Sequence, residues 1–158
     1  MQKTRYLTRL VILISLTLVI GLLGLPQPLT GPMINMMLFL TTMILGPMAG
    51  ILLGTITPLA ALLRGQLPPV LFIFVPFIII GNALLVVIYF LFNESKSRKK
   101  IRFSIFHWVG IGAASLVKFL WLFFSARVTL PLFLGDNLSP ALITMMSLPQ
   151  LITALLGG

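Results

Sequence analysis

Glu94 and Asp136 are the only carboxylates in this 158-residue chain, His107 is the only imidazole, and cysteine is absent. Acid–base chemistry needs a proton donor and acceptor held at one place, and covalent catalysis needs a nucleophile beside an activating base. Both acids fall in polar, loop-like segments. No carboxylate pair, metal cluster or nucleophile with its base can be assembled from this inventory, so the chain is not expected to be an enzyme or to hold a metal or cofactor. Met36, Met37, Met43, Met145 and Met146 lie in apolar runs, where they suit helix packing better than a soft-metal path that lacks thiolate or imidazole support.

The chemistry that remains is recognition by polar groups set into apolar sequence. Lys118 is the sharpest case, because an ammonium in hydrocarbon costs several kcal/mol unless it finds a partner, a cavity or water. It either snorkels to the outer interface or lines an outward-facing pocket. Ala114, Ser115, Trp121 and Ser125 stand three, four or seven residues away and share its helical face, which favours a cavity wall. Asn35, Asn82 and Gln150 are amides within apolar runs, suited to helix-to-helix hydrogen bonds or to ligand contact. Pro76 precedes Asn82 and is expected to kink its helix and free a carbonyl. Arg64 ends an apolar run, either as an interfacial anchor or, at a depth similar to Lys118, as a second positive charge for one anionic or carbonyl-rich ligand. Trp121 would stack on a ring. His107 and Trp108 read as interfacial anchors.

The elements that position these groups follow from composition. Hydrophobic residues make up 59% of the chain and charged residues 8%, against about 25% charged in soluble domains. Two acids and eleven bases cannot cover a water-soluble surface of this size, so lipid is the expected solvent. The net charge of +9 does not mark a nucleic-acid partner, because the bases cluster at the ends of apolar runs rather than on an exposed face with stacking aromatics.

With about 20 residues per crossing, the length admits six spans and no separate soluble domain. Proline and glycine mark the boundaries. The turns are Leu25-Pro26-Gln27-Pro28-Leu29-Thr30-Gly31-Pro32, whose prolines are not expected inside one helix, then Leu45-Gly46-Pro47 and Arg64-Gly65-Gln66-Leu67-Pro68-Pro69. The basic segment 93–104 and a loop-like stretch 127–139 follow. The expected spans are 6–24, 30–45, 47–63, 70–92, 105–126 and 140–158, in one transmembrane domain covering 1–158. The first, despite its basic head, lacks a signal-peptidase-like site and is read as a retained span. An even number of spans puts Lys3, Arg5 and Arg9 on the same side as Lys96, Arg98, Lys99, Lys100 and Arg102. Eight of eleven bases are then cytoplasmic, with both termini, as the positive-inside rule requires.

Six short spans, a basic N-terminus and the Leu45-Gly46-Pro47-Met48-Ala49-Gly50 turn resemble the substrate-binding S components of energy-coupling factor (ECF) transporters. The resemblance implies an all-α integral membrane protein of the bacterial cytoplasmic membrane, embedded in lipid, that captures a small water-soluble vitamin or related micronutrient near the outer face. It also implies partners in other chains: a transmembrane coupling subunit and two ATP-hydrolysing subunits. Consistently, no phosphate-binding G-x-x-x-x-G-K-[ST] loop occurs here. The alanine pair that many S components carry on the first helix for docking is missing; Thr17 and Gly21 supply small residues at that spacing.

The candidate pocket is lined by Asn35, Arg64, Asn82, Lys118, Trp121 and Gln150, closed by the loops around Gln66 and Arg127. Two other classes stay open: a structural or assembly subunit without a ligand, in which Lys118 pairs with a partner's acid, and an autonomous small transporter.

Overall fold

A computed structural model of the chain describes residues 2–65, 69–94, 105–134, 144 and 147–158. The described elements are helices: α1 (Gln2–Leu22), α2 (Gln27–Leu45), α3 (Pro47–Leu63), a 3-10 turn at Pro69–Phe74, α4 (Val75–Glu94), α5 (Ile105–Leu134) and α6 (Leu148–Leu156). Four of these, α1, α2, α4 and α5, are long and apolar enough to cross a membrane; α3 is apolar but shorter.

Local chemistry sets the joints. Gly46 takes φ +92°, a conformation that side-chain-bearing residues rarely adopt, and Pro47 opens α3 at a first-turn position where its missing N–H costs nothing. One residue therefore suffices to turn α2 into α3. Pro26 caps α2 in extended geometry, Pro28 falls in its first turn, and Pro32 is carried inside the helix. The helix thus starts at Gln27, three residues before the expected span. Only one of the four turn-forming residues in this stretch, Pro32, interrupts the hydrogen-bond ladder, which a membrane helix tolerates when neighbours satisfy the freed group.

Two further expectations change. Pro76 is the second residue of α4, directly after the 3-10 turn, so it starts the helix rather than kinking it below Asn82. Residues 127–134, read from sequence as loop, continue α5 without a break, with Pro131 inside the helix. Pro131 does not end the helix, because a lone proline removes a single N–H and the apolar residues on either side keep the helix favourable. Of the expected sixth span, residues 148–156 are helical. Residues 140–143, 145 and 146, the basic loop 95–104 with its five lysines and arginines, Gln66 and Asp136 lie outside the described residues.

Small residues let the helices approach. A Cβ on Gly54 of α3 would stand 2.9 Å from the Asn82 Cβ of α4, and one on Gly50 would collide with Thr42 of α2 and Val86 of α4. Gly81 of α4 faces Leu122 of α5, and Gly110 of α5 faces Phe92 of α4. In each of these pairs the residue numbers rise on one helix as they fall on the other, so α2/α3, α3/α4 and α4/α5 are antiparallel. Gly31 faces Thr153 and Gly157 faces Asn35, which sets α6 parallel to α2. These are the relative directions an up-and-down bundle requires.

Met37, Leu38, Leu53, Leu85, Val86, Tyr89 and Ile111 form the buried apolar centre. Leu7, Val11, Ile12, Leu16 and Val19 leave one side of α1 exposed and apolar, a surface that suits lipid and not water. Thr17 and Thr42 are buried and return their hydroxyl protons to the carbonyls of Leu13 (2.6 Å) and Leu38 (2.7 Å), four residues back. These two hydroxyls are thereby satisfied within their own helices, as hydrocarbon demands.

Candidate functional site

Lys118 and Asn35 meet in the interior. The Lys118 Nζ donates to Asn35 Oδ1 at 2.7 Å, joining α5 to α2 across 83 positions of sequence. Each residue is 3% exposed, so the snorkelling reading of Lys118 fails: its amine points into the bundle. Of the face expected from spacing, Ala114 and Ser115 are at 0% and Ser125 at 8% exposure, while Trp121 is half-buried. Ser115, three residues before Lys118, has a buried hydroxyl with no hydrogen-bond partner. Hydroxyls in such positions are rarely left unpaired, because desolvation costs about 1–3 kcal/mol.

Trp121 lies one turn beyond Lys118 and turns toward α4. Its indole Nε1–H donates to the Phe77 carbonyl at 2.9 Å, and its ring stacks on Phe77 with centroids 6.3 Å apart. Phe77 stacks in turn on Phe74 at 5.4 Å. Asn82 is buried and its Nδ2 donates to the Gly54 carbonyl at 2.9 Å, tying α4 to α3. The close approach at Gly54 makes that bond possible. Asn82 and Trp121 therefore carry structural bonds to backbone that hold α3, α4 and α5 in register behind Lys118.

The other two candidates lie elsewhere. Arg64 is exposed at the end of α3 and donates through a guanidinium nitrogen to the Gly21 carbonyl at 2.9 Å. It neutralises the carboxyl-terminal end of α1, where unpaired carbonyls carry partial negative charge. The structure thus gives the two cations different partners: Arg64 joins α1 to α3, and Lys118 joins α5 to α2. Gln150 is half-buried in the first turn of α6, and its backbone carbonyl accepts from Thr153 Oγ1 at 3.1 Å. Arg127 is exposed and stands over the Phe123 ring, 4.6 Å from its centroid.

Two features had no signal in the sequence reading. The end of α6 is wedged against the Lys118 partner: a Cβ on Gly157 would stand 2.8 Å from Asn35 Cβ. His107, expected to be an anchor at the membrane surface, is half-buried and shares a 3.1 Å hydrogen bond between its Nδ1 and the Tyr89 hydroxyl. Tyr89 packs edge-on against Phe39 at 4.8 Å.

The arrangement sets an amine, an unpaired hydroxyl and an amide inside an apolar bundle, groups suited to holding a polar ligand. A family model described as "ECF transporter, substrate-specific component" matches residues 5–158. The chain belongs to that family. As a substrate-specific component it is a transport subunit, and its helical apolar spans agree with a place in a membrane. No curated protein and no solved structure matches it.

Proposed function

We propose that this substrate-specific component is the capture subunit of an ATP-driven importer of a small water-soluble vitamin or related precursor. The observation that carries the proposal is the buried Lys118–Asn35 contact, a polar pair at the interior junction of α2 and α5 in a chain matched over nearly its whole length by the family. The ligand contacts Asn35 and Lys118, with Trp121 and Asn82 framing the site from behind and Gln150 at its rim; Arg64, bonded to the Gly21 carbonyl, stands outside it. Such a mix of an apolar lining and a few fixed polar groups is the usual character of small-molecule sites.

In this reading the protein crosses the bacterial cytoplasmic membrane six times, with α3 and the region ending in α6 completing the set. Both termini and the 93–104 loop lie on the cytoplasmic side, where eight of the eleven bases gather. Energy comes from other chains: a transmembrane coupling subunit and two ATPases.

The test is binding and capture with the full chain in lipid nanodiscs. One member of a micronutrient panel is expected to raise the unfolding temperature, and the chain is expected to co-purify with a coupling subunit and its ATPases when the four are expressed together. Uptake into vesicles without those partners would instead identify an autonomous transporter. Co-purification with a partner bearing an intramembrane acid, without stabilisation by any small molecule, would identify an assembly subunit.

A further inference from the structure

A hydroxyl on a helix has a ready partner in the carbonyl four residues back. Thr17, Thr42 and Thr55 use it, donating to Leu13, Leu38 and Ile51 at 2.6, 2.7 and 2.9 Å. Ser115 does not. It is 0% exposed, yet its hydroxyl bonds neither to Ile111, four residues back, nor to any other described residue. An unmet buried hydroxyl carries a desolvation cost that alanine would avoid, so the free protein is less stable for keeping it. Thr41 of α2 and Thr57 of α3 also have unmet hydroxyls, but Ser115 alone of the three stands one turn from Lys118 on the same helix.

The surroundings of that hydroxyl are defined from both ends. Lys118, one turn later, bonds Asn35 of α2, and Ile111, one turn earlier, stands where a Cβ on Gly158 would fall. Gly157 in turn lies against Asn35. Ser115 therefore sits on the side of α5 that faces the junction of α2 with the end of α6. Gly158 is near, but it does not accept from the hydroxyl. Lys118 keeps a donor in hand in either protonation state: an ammonium has three N–H groups and a neutral amine two, and among the described residues one is given, to Asn35. Residues three apart on a helix hold their Cβ atoms about 5–6 Å apart. Two spare donors thus flank one spot at this junction, and a carbonyl oxygen, with its two lone pairs, can accept from both.

Resting on the capture reading above, we propose that Ser115 is a substrate-contact residue, and that the substrate carries a carbonyl group whose oxygen accepts from Ser115 Oγ and Lys118 Nζ while Asn35 keeps its bond to the amine. Hydrogen-bond complementarity selects the class, and charge does not enter. An amide, a ring carbonyl or a carboxyl group meets it. An alcohol oxygen also accepts, but it brings a proton of its own into apolar surroundings, where that proton needs a further acceptor. A substrate with no acceptor at this spot leaves the hydroxyl unmet in the bound state as well. Sites that hydrogen-bond their substrate discriminate most strongly against analogues that lack the matching group.

The experiment separates what the hydroxyl does to stability from what it does to binding, using the purified full chain in phosphatidylcholine nanodiscs. The probes are pairs with and without the carbonyl: nicotinamide and nicotinyl alcohol, lipoamide and lipoyl alcohol, p-aminobenzamide and p-aminobenzyl alcohol, with thiamine as a vitamin that has none. Unfolding temperature and calorimetric affinity are read, and small molecules retained through purification are identified by mass spectrometry. One carbonyl compound, from the panel or retained, is expected to stabilise the protein and to bind more tightly than its alcohol counterpart. Ser115→Ala is expected to weaken that compound about tenfold, the factor that roughly one hydrogen bond supplies, and to leave the alcohol within about twofold. Without ligand, the same variant is expected to unfold at a temperature no lower than the parent's. Thr41→Val removes another unmet hydroxyl, about 9 Å along α2 from Asn35; it is expected to be as stable as the parent and to bind within about twofold. A Ser115→Ala protein that binds the carbonyl compound as the parent does, or that is less stable without ligand, overturns the contact and leaves the capture reading in place. An alcohol that binds as well as its carbonyl counterpart, or thiamine as the compound bound, overturns the carbonyl in the same way. If no probe shifts the protein and nothing is retained, both readings fall.

Discussion

Two cations join helices in this molecule, and they do so under opposite conditions. Arg64 reaches from α3 to the end of α1 at an exposed position and bonds to a backbone carbonyl, that of Gly21, in the last turn of the helix. Lys118 reaches from α5 to α2 in the interior and bonds to a side chain, Asn35, whose own burial is justified only by that contact. Water can replace Arg64 at little cost. In the interior there is no bulk water to replace Asn35. Equal charge on two residues thus says little about their roles until their surroundings are known, and the costly placement is the one that asks for a function.

The largest effect is expected on breaking the buried half of this comparison. Asn35→Leu strands an amine among apolar side chains. Removing the partner of a buried charged group costs its full desolvation, about 3 kcal/mol or more, so the unfolding temperature in detergent should fall by many degrees. The double variant Asn35→Leu with Lys118→Met removes both polar ends and should recover most of that loss, since an apolar pair of similar volume is often as stable as the polar one it replaces. A double variant as unstable as the single would mean that helix packing at position 35, against Gly157, and not the polar contact, governs this junction.

The next effect concerns what holds the interior site in register. Gly54→Val would push a branched side chain into Asn82, where even a Cβ meets its neighbour at 2.9 Å. Overpacking of this kind costs about 1–3 kcal/mol and would also stretch the Asn82 bond to the Gly54 carbonyl. Ligand affinity, as well as stability, should fall for this variant. If affinity is untouched while stability drops, the α3/α4 contact does not support the site. Trp121→Phe is milder. It keeps the ring against Phe77 and removes one N–H···O bond, for an expected loss of about 1 kcal/mol, read by thermal unfolding.

The same contrast explains what could be read from the sequence. Polar residues in apolar runs are conspicuous by type, so Asn35, Asn82, Lys118 and Trp121 could be singled out singly. Their partners could not. Lys118 and Asn35 are separated by 83 positions, and which of several helices each one faces depends on packing that leaves no local mark. Counting residues along a span estimates depth, which is why Arg64 and Lys118 were placed together; it says nothing about position around the bundle, and the structure gives them different helices as partners. Helix boundaries were legible where one residue decides them, as at Gly46-Pro47. The boundary after Ala126 was not legible, because a helix in apolar surroundings accommodates Pro131, although in a soluble protein it would more often end the element.

The smallest effect is expected at the exposed cation. Arg64→Ala removes a side chain that contributes charge at the end of α1, and such exposed interactions with a helix terminus are worth about 0.3–1 kcal/mol at low salt. The loss should shrink further as salt rises toward 0.5 M, because the Debye length there is only about 4 Å. Lys at this position should recover most of the stability, since the Gly21 carbonyl asks for a positive donor and not for the planar fork of arginine. Ligand affinity supplies the sharper measurement. If Arg64 acts only on the ends of α1 and α3, Arg64→Ala binds substrate within about twofold of the parent while Lys118→Met does not. A tenfold loss in Arg64→Ala would place the guanidinium in the binding site in the liganded protein, and would mean that its bond to Gly21 is exchanged for one to the ligand when the site fills.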